Sequence, residues 1–205
     1  MSIVSSNEYI FRILVVGDKN VGKSSFISKY IDNEITSLNN YKLETSMKYK
    51  LLNIYGNVNN LLHIKLELWN YIYNSNDLGL YHKQAHAIIL MFDLTNINSF
   101  NNIKMHLDKI LLLCQKDITI IIVGNKYDKT NQYEKKEINN DMINSLKEHI
   151  LYKNTEFRYI ECSVYTGKNI DIIIYNLINE IKKKYTINVS YGSTKINKIM
   201  KLFNK

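Results

Sequence analysis

The sequence predicts an α/β fold, a mostly parallel sheet covered by helices. Two kinds of segment carry this expectation. Short unbroken apolar runs recur along the 205 residues, and stretches with helical spacing fall between them. Runs of this kind suit parallel strands buried on both faces. A third observation is an early pair of strand-like stretches joined by GNVNN, which reads as one antiparallel hairpin. The resulting order is βαββ(α)βαβαβα.

The elements follow in turn. Phe11–Val16 (FRILVV) is a short run ended by a glycine and reads as a buried strand. Ser24–Ile31 places Phe26, Ile27, Tyr30 and Ile31 at helical spacing. Met47–Tyr55 and Leu61–Trp69 form the hairpin, with Leu62, Ile64, Leu66 and Leu68 on one face. Ala87–Phe92 and Ile118–Val123 are the central strands. Between them Phe100, Ile103, Leu107, Ile110, Leu111 and Cys114 trace one helical stripe. Phe157–Cys162 is the last strand. Asn169 is placed to cap a final helix with the stripe Ile170, Ile173, Ile174, Leu177, Ile178 and Ile181.

The composition, 45% hydrophobic and 22% charged, is that of a soluble globular domain. Cys114 and Cys162 lie in apolar runs and make no disulfide framework, which suits a reducing, cytoplasmic setting. No stretch is long and apolar enough to span a membrane, and Ser2 leaves no myristoylation glycine. The net charge of +8 comes almost wholly from lysines spread along a chain rich in Asn and Ile and free of proline. Solvated faces account for it, and no nucleic-acid partner is expected.

Gly17-Asp-Lys-Asn-Val-Gly22-Lys23-Ser24 fits G-x-x-x-x-G-K-[ST], between a predicted strand and a predicted helix. Glycines let the backbone turn its N–H groups onto a phosphate, and the helix end adds a positive dipole. Asp18, Lys19, Asn20, Val21, Gly22, Lys23, Ser24 and Ser25 are therefore candidate nucleotide-binding residues. Lys23 reaches the β- and γ-phosphates on this reading, and the Ser24 hydroxyl ligates Mg²⁺.

Such a loop does not choose the base. Asn125-Lys126-Tyr127-Asp128, directly after a buried strand, does. Guanine presents N1–H and a 2-amino group side by side, and one carboxylate, that of Asp128, can accept both. A buried site of this kind discriminates by roughly 10⁴–10⁵ because the wrong base leaves it unpaired. Lys126 would lie along the base, and Asn125 would tie this loop to the phosphate loop.

These residues resemble the Rab branch of the Ras superfamily. Asp93-Leu-Thr-Asn-Ile-Asn-Ser-Phe100-Asn-Asn-Ile-Lys is similar to its D-x-T…S-F-N-N-x-K segment. Leu66-Glu-Leu-Trp69 resembles its strand entering switch II, and Tyr81-His-Lys-Gln-Ala-His-Ala its Y-Y-R-G-A-H-G. The resemblance runs from about Phe11 to Lys184. It implies the P-loop G domain, a six-stranded, mostly parallel sheet with about five flanking helices. GTP or GDP and Mg²⁺ would be the cofactors, and GTP hydrolysis the activity. Glu161-Cys-Ser163-Val164-Tyr165 falls where the family carries a serine-alanine-lysine loop against the base. Ser163, Val164 and Tyr165 join the candidates, although only the serine matches.

The departures from the family are specific. After Trp69 the family reads D-T-A-G-Q-E, whereas this chain reads Asn70-Tyr-Ile-Tyr73-Asn74-Ser. Asn70 replaces a carboxylate that holds a Mg²⁺-bound water. Tyr73 replaces the glycine whose N–H meets the γ-phosphate. Asn74 takes the place of the water-orienting glutamine and is one methylene shorter, so Asn74 and Lys23 are the candidate catalytic residues. Slow intrinsic hydrolysis is expected. In switch I, Glu44 aligns with the metal-binding threonine; a slip of one residue makes Thr45 the ligand, and Thr36 is a poorer alternative. Lys19 and Asn20 stand where bulky side chains crowd the transition state in this family, while Lys19 could instead supply charge in cis.

No cysteine follows Cys162, so prenylation is not expected. Ile196, Ile199, Met200 and Phe203 form a stripe among lysines, compatible with a basic membrane-surface helix or with a disordered or partner-bound tail. The expected organisation is a short extension at 1–9, the G domain at 10–185 and a basic tail at 186–205. The expected partners are effectors and regulators, acting on a monomer whose membrane contact is at most peripheral, in vesicle-mediated or intracellular protein transport. A nucleotide-locked or nucleotide-free scaffold is the alternative. His82 is expected at the surface or against a partner. Tyr71, Tyr73 and Tyr81 form either an exposed aromatic patch or an inward-packed replacement for a mobile switch. The histidines share no metal-like spacing.

Overall fold

Strand β1 (Asn7–Val16) is the axis of the sheet. The computed structural model describes residues 7–34, 46–55, 61–71, 80–114, 118–130, 138–152 and 157–184. Within these, β1 is followed by α1 (Lys23–Asp32), the hairpin strands β2 (Ser46–Tyr55) and β3 (Leu61–Asn70), and the four-residue helix α2 (Leu80–Lys83). Then come β4 (Ala87–Asp93), α3 (Ile97–Leu113), β5 (Thr119–Asn125), α4 (Asn140–Tyr152), β6 (Phe157–Glu161) and α5 (Ile170–Lys184). The sheet order is β2-β3-β1-β4-β5-β6; β2 is antiparallel to β3, and all other neighbours are parallel. The expected α/β fold is therefore present, with six strands and five α-helices among the described residues.

The unbroken apolar runs have a simple cause. Successive side chains of a strand point to opposite faces, and both faces here are covered. Ile13, Val15, Ile89, Met91, Ile121 and Val123 pack with Phe26 and Ile27 of α1 and with the Ile173, Ile174, Leu177, Ile178 and Ile181 stripe of α5. Leu14, Val16, Ile88, Leu90, Ile120 and Ile122 face the other way, onto Phe100, Ile103, Leu107 and Ile110 of α3. Each such side chain contributes about 1.5–3 kcal/mol on burial. Helix α3 starts cleanly because the Asn96 side chain accepts from the N–H groups of Asn98 and Ser99.

Two expectations change, at Asn169 and His82, and an open choice is settled at Tyr71. Asn169 precedes α5 with a left-handed backbone (φ 63°), and its side chain donates to the Glu161 carbonyl at 2.7 Å. It ties the end of β6 to the start of α5 instead of capping the helix with its oxygen. Tyr71 is buried: its N–H donates to the Val15 carbonyl (3.0 Å), so the chain follows β1 one residue past β3 and carries the ring into the core. His82 is 0% exposed, with the Tyr71 ring edge-on at 4.5 Å, so it is a core residue. Tyr73, the hairpin residues GNVNN and the 186–205 tail lie outside the described residues, as does the side chain of Tyr81. No helix among the described residues is long and apolar enough to cross a membrane.

At the β1–β4 junction, the Arg12 N–H donates to His86 Nδ1 at 3.0 Å. That bond needs an unprotonated nitrogen. Burial, and then the Arg12 charge, lower the His86 pKa below its ordinary 6.5 against a smaller opposing pull from Glu67. The unfolded chain takes up this proton more readily. The stability contribution of His86 is thus whole above its unfolded value and is lost as the pH falls through the lower folded value. His86→Asn keeps an acceptor without titrating. Between about pH 7.5 and about pH 5.5, the wild-type urea midpoint should fall more than that of His86→Asn. Equal falls would contradict this account.

Candidate nucleotide site

The site forms where the carboxyl ends of β1, β3, β4 and β5 meet, the usual ligand position in an open α/β sheet. At the end of β1, Gly17 adopts φ 146°, and a Cβ there would lie 2.0 Å from the Met91 carbonyl oxygen of β4. Gly22 adopts φ 105° ahead of α1, and its Cβ would lie 2.3 Å from Asn125 Nδ2. Only glycine fits either position. Between them Lys19 and Asn20 are exposed, Asn20 in the left-handed region, and Val21 is buried. Lys23 Nζ folds back to donate to the carbonyls of Gly17 (2.8 Å) and Asp18 (2.6 Å). Desolvation lowers its pKa to about 8, with Asp18 opposing and Lys19 adding to the shift. The result is a backbone cradle with a half-buried cation folded into it, suited to an anion.

The Asp18 carboxylate faces away from this cradle, toward α3. Asn102 Nδ2 and His106 Nε2 each donate to it at 2.7 Å. The loop motif does not single out either α3 residue.

Beside the cradle, Asn70 ends β3, where it pairs with Val15. Its Nδ2 donates to Ser24 Oγ at 2.9 Å, and its buried Oδ1 has no hydrogen-bond partner among the described residues. A hydroxyl and a spare amide oxygen fit a hydrated divalent cation, but as neutral donors. Among the described residues no cluster of three or more His, Cys, Asp or Glu could hold a metal by itself. Thr36, Glu44, Thr45 and Asn74 lie outside the described residues. Ser25 is half-buried in the first turn of α1.

On the base side, Asn125 is the last residue of β5 and is 2% exposed. Its Nδ2 donates to the Val21 carbonyl at 2.8 Å, joining the base loop to the phosphate loop. Its Oδ1 accepts from the Val164 N–H at 3.0 Å and from Cys162 Sγ. The Val164 N–H is thus held by Asn125. Lys126 has a left-handed backbone (φ 65°) and places Nζ 2.6 Å from Asp93 Oδ2. The Asp128 carboxylate accepts from the buried Ser163 hydroxyl. Tyr165 is 74% exposed. Lys168 Nζ sits 3.4 Å over the Tyr127 ring, a cation–π contact that joins the two loops. Spacing along the chain shows neither this contact nor the Asp93–Lys126 pair; Asp93 stands out only through its family segment.

This arrangement coincides with a match across most of the chain: the Ras family model covers residues 12–183. The chain belongs to the Ras family. Its curated relatives place it as a Rab-like small GTPase of the Ras superfamily. Ras-related protein Rab-26 of Rattus norvegicus is 26% identical over 182 residues, 86% of this chain and 65% of that protein. Ras-related protein Rab-4 of Dictyostelium discoideum is 25% identical over 179 residues, 86% of this chain and 81% of the relative. RabY of the same organism is 28% identical over 181 residues, 85% and 71% of the two chains. Identity at this level leaves room for the replacement at Asn70 without loss of the fold.

The central tie of this Rab-like site is open to test. Asn125→Ala would strand the buried Val21 carbonyl and the Val164 N–H, at about 1–3 kcal/mol for each unsatisfied group. Urea unfolding should show a loss of about 2–6 kcal/mol, and a loss below about 1 kcal/mol would mean that the two loops are joined by other contacts.

Proposed function

We propose that this protein is a guanine-nucleotide-binding Rab-like GTPase with slow intrinsic hydrolysis. It acts through effector binding in vesicle-mediated or intracellular protein transport. The observation that carries the reading is the Asp128 carboxylate, fixed by Ser163 on a loop that Asn125 fastens to the phosphate cradle. A carboxylate so oriented satisfies the two adjacent donors of guanine and leaves adenine unpaired. Lys23 and the loop N–H groups serve the phosphates, with residues 18–25 forming the cradle. Asn125, Lys126, Asp128, Ser163, Val164 and Tyr165 surround the base.

GTPase activity accords with family membership. Its slowness rests on three residues. Asn70 offers a neutral amide where a carboxylate would strengthen the hold on Mg²⁺-bound water. Tyr73 restricts the backbone that must meet the γ-phosphate, and Asn74 is too short to orient an attacking water well. Ser24 with Thr45 would hold the Mg²⁺, which supplies charge neutralisation at the phosphates when bound. The nucleotide-binding unit is taken as residues 10–185, flanked by 1–9 and the basic 186–205 segment. The protein works as a cytoplasmic monomer whose membrane contact is peripheral, through a partner or that basic segment. Exchange factors and activators are the regulators expected, and an activator could supply the missing transition-state charge. The neutral Asn70 is also the observation that favours the second reading, a nucleotide-locked scaffold.

Asp128→Asn exchanges a double acceptor for a group that donates on one side. Competition binding should show its preference moving from guanine toward xanthine nucleotides, whereas an unchanged base preference would remove the assigned role of Asp128. Single-turnover assays should give GTP hydrolysis by the purified chain below about 10⁻³ s⁻¹, near or under the intrinsic rate of a small GTPase without its activator. Turnover near 10⁻² s⁻¹ or faster, about the rate of members with a cis arginine, would refute the slow-hydrolysis reading.

A further inference from the structure

The phosphate loop carries an acidic residue one position after Gly17, where a free carboxylate would work against an anionic ligand. Asp18 presents its backbone carbonyl to Lys23 Nζ at 2.6 Å, so its main chain is part of the cradle. Its negative charge reaches the same ammonium, since it is the largest influence opposing the desolvation of Lys23. Both carboxylate oxygens are nevertheless turned out of the cradle. Oδ2 accepts from Asn102 Nδ2 and Oδ1 from His106 Nε2, each at 2.7 Å. Asn102 and His106 are four residues apart on α3 and therefore share one helix face. The His106 side chain is only 9% exposed, while the Asp18 carboxylate is 26% exposed, so the bond is sheltered on its α3 side. The parallel pairing of β1 with β4 makes the meeting possible, because the phosphate loop leaves β1 beside the strand that leads into α3.

We propose that Asn102 and His106 are positioning residues for the nucleotide phosphates, holding the Asp18 carboxylate out of the cradle. They act through Asp18 and touch no ligand themselves. Without them the carboxylate is free to rotate toward the phosphates or to capture Lys23, and either movement weakens anion binding. The inference rests on the nucleotide-binding reading above and assigns a task to α3, a helix otherwise engaged in core packing.

The test is the release rate of a fluorescent GDP analogue from the full chain, with melting temperatures recorded in parallel. His106→Ala should release the analogue about tenfold faster, the scale of one charge-assisted hydrogen bond. His106→Gln should stay near the wild-type rate, because its amide nitrogen reaches the position of Nε2. Adding Asp18→Ala to His106→Ala should restore slow release, since no carboxylate remains to be restrained. A purely structural defect at His106 would not be repaired by removing a second side chain. Should His106→Ala fold poorly, Asn102→Ala carries the same comparison. Release at the wild-type rate from the alanine variants would overturn the proposal, as would a double variant as fast as His106→Ala. A wild-type chain that takes up no GDP analogue would overturn the nucleotide reading itself, and this inference with it.

Discussion

The buried amide of Asn125 stands at the centre of the structure. One side chain at the end of β5 donates to the phosphate loop through Val21 and accepts from the last loop through Val164. Three segments far apart in sequence are thereby held in one arrangement. A side-chain amide is suited to this because it donates and accepts at once. A carboxylate could not donate to the Val21 carbonyl, and an alanine would leave both partners buried and unsatisfied. Gly22 is constrained by the same group, since any Cβ there would collide with the Asn125 amide. The glycine of one motif and the asparagine of the other are two parts of a single packing solution.

From this tie outward the site divides into two halves. The base half is built on β5 and β6, whose ends are locked together by hydrogen bonds from Cys162 N–H to the Gly124 carbonyl and from Tyr127 N–H to the Cys162 carbonyl. It also carries the ion pair of Lys126 with Asp93 and the Lys168–Tyr127 contact. The other half begins at Asn70, where a neutral side chain bonds to Ser24 and keeps an acceptor in reserve. Gripping a base and the inner phosphates asks for fixed donors and acceptors. Sensing and cleaving the outermost phosphate asks for charge and backbone freedom, and the proposed function assigns that half to residues that resemble the family pattern least. On the proposed reading, binding and turnover are separable properties in this chain.

Much of the architecture was legible in the sequence, for a physical reason. A sheet covered on both faces forces apolar residues at consecutive positions, so β4 and β5 announce themselves as unbroken runs. The stripes of α3 and α5 are equally plain because each packs one face onto that sheet. The glycine loop and the Asn125–Asp128 motif are local patterns, and their proximity follows from strand order. What periodicity could not show are contacts between distant residues that obey no period. Asp18 meets Asn102 and His106 across 84 and 88 positions. Asn169 looked like a helix cap because residue preference carries no information on backbone sign. In the structure it adopts a left-handed conformation and serves β6. Tyr71 is open to two readings and His82 is misplaced at the surface for a related reason: aromatic residues suit a surface patch and a core equally well. Their burial depends on the chain continuing along β1 past the end of β3.

The central claim is that this chain holds a guanine nucleotide through an intact base and inner-phosphate site despite its altered outer-phosphate half. Native mass spectrometry of the full chain, purified gently without added nucleotide, tests it most directly. One equivalent of GDP or GTP should be retained by the protein, confirmed by chromatography of the released nucleotide. A chain that emerges empty and shows no affinity for GDP or GTP on titration, or one that retains an adenine nucleotide instead, would contradict it.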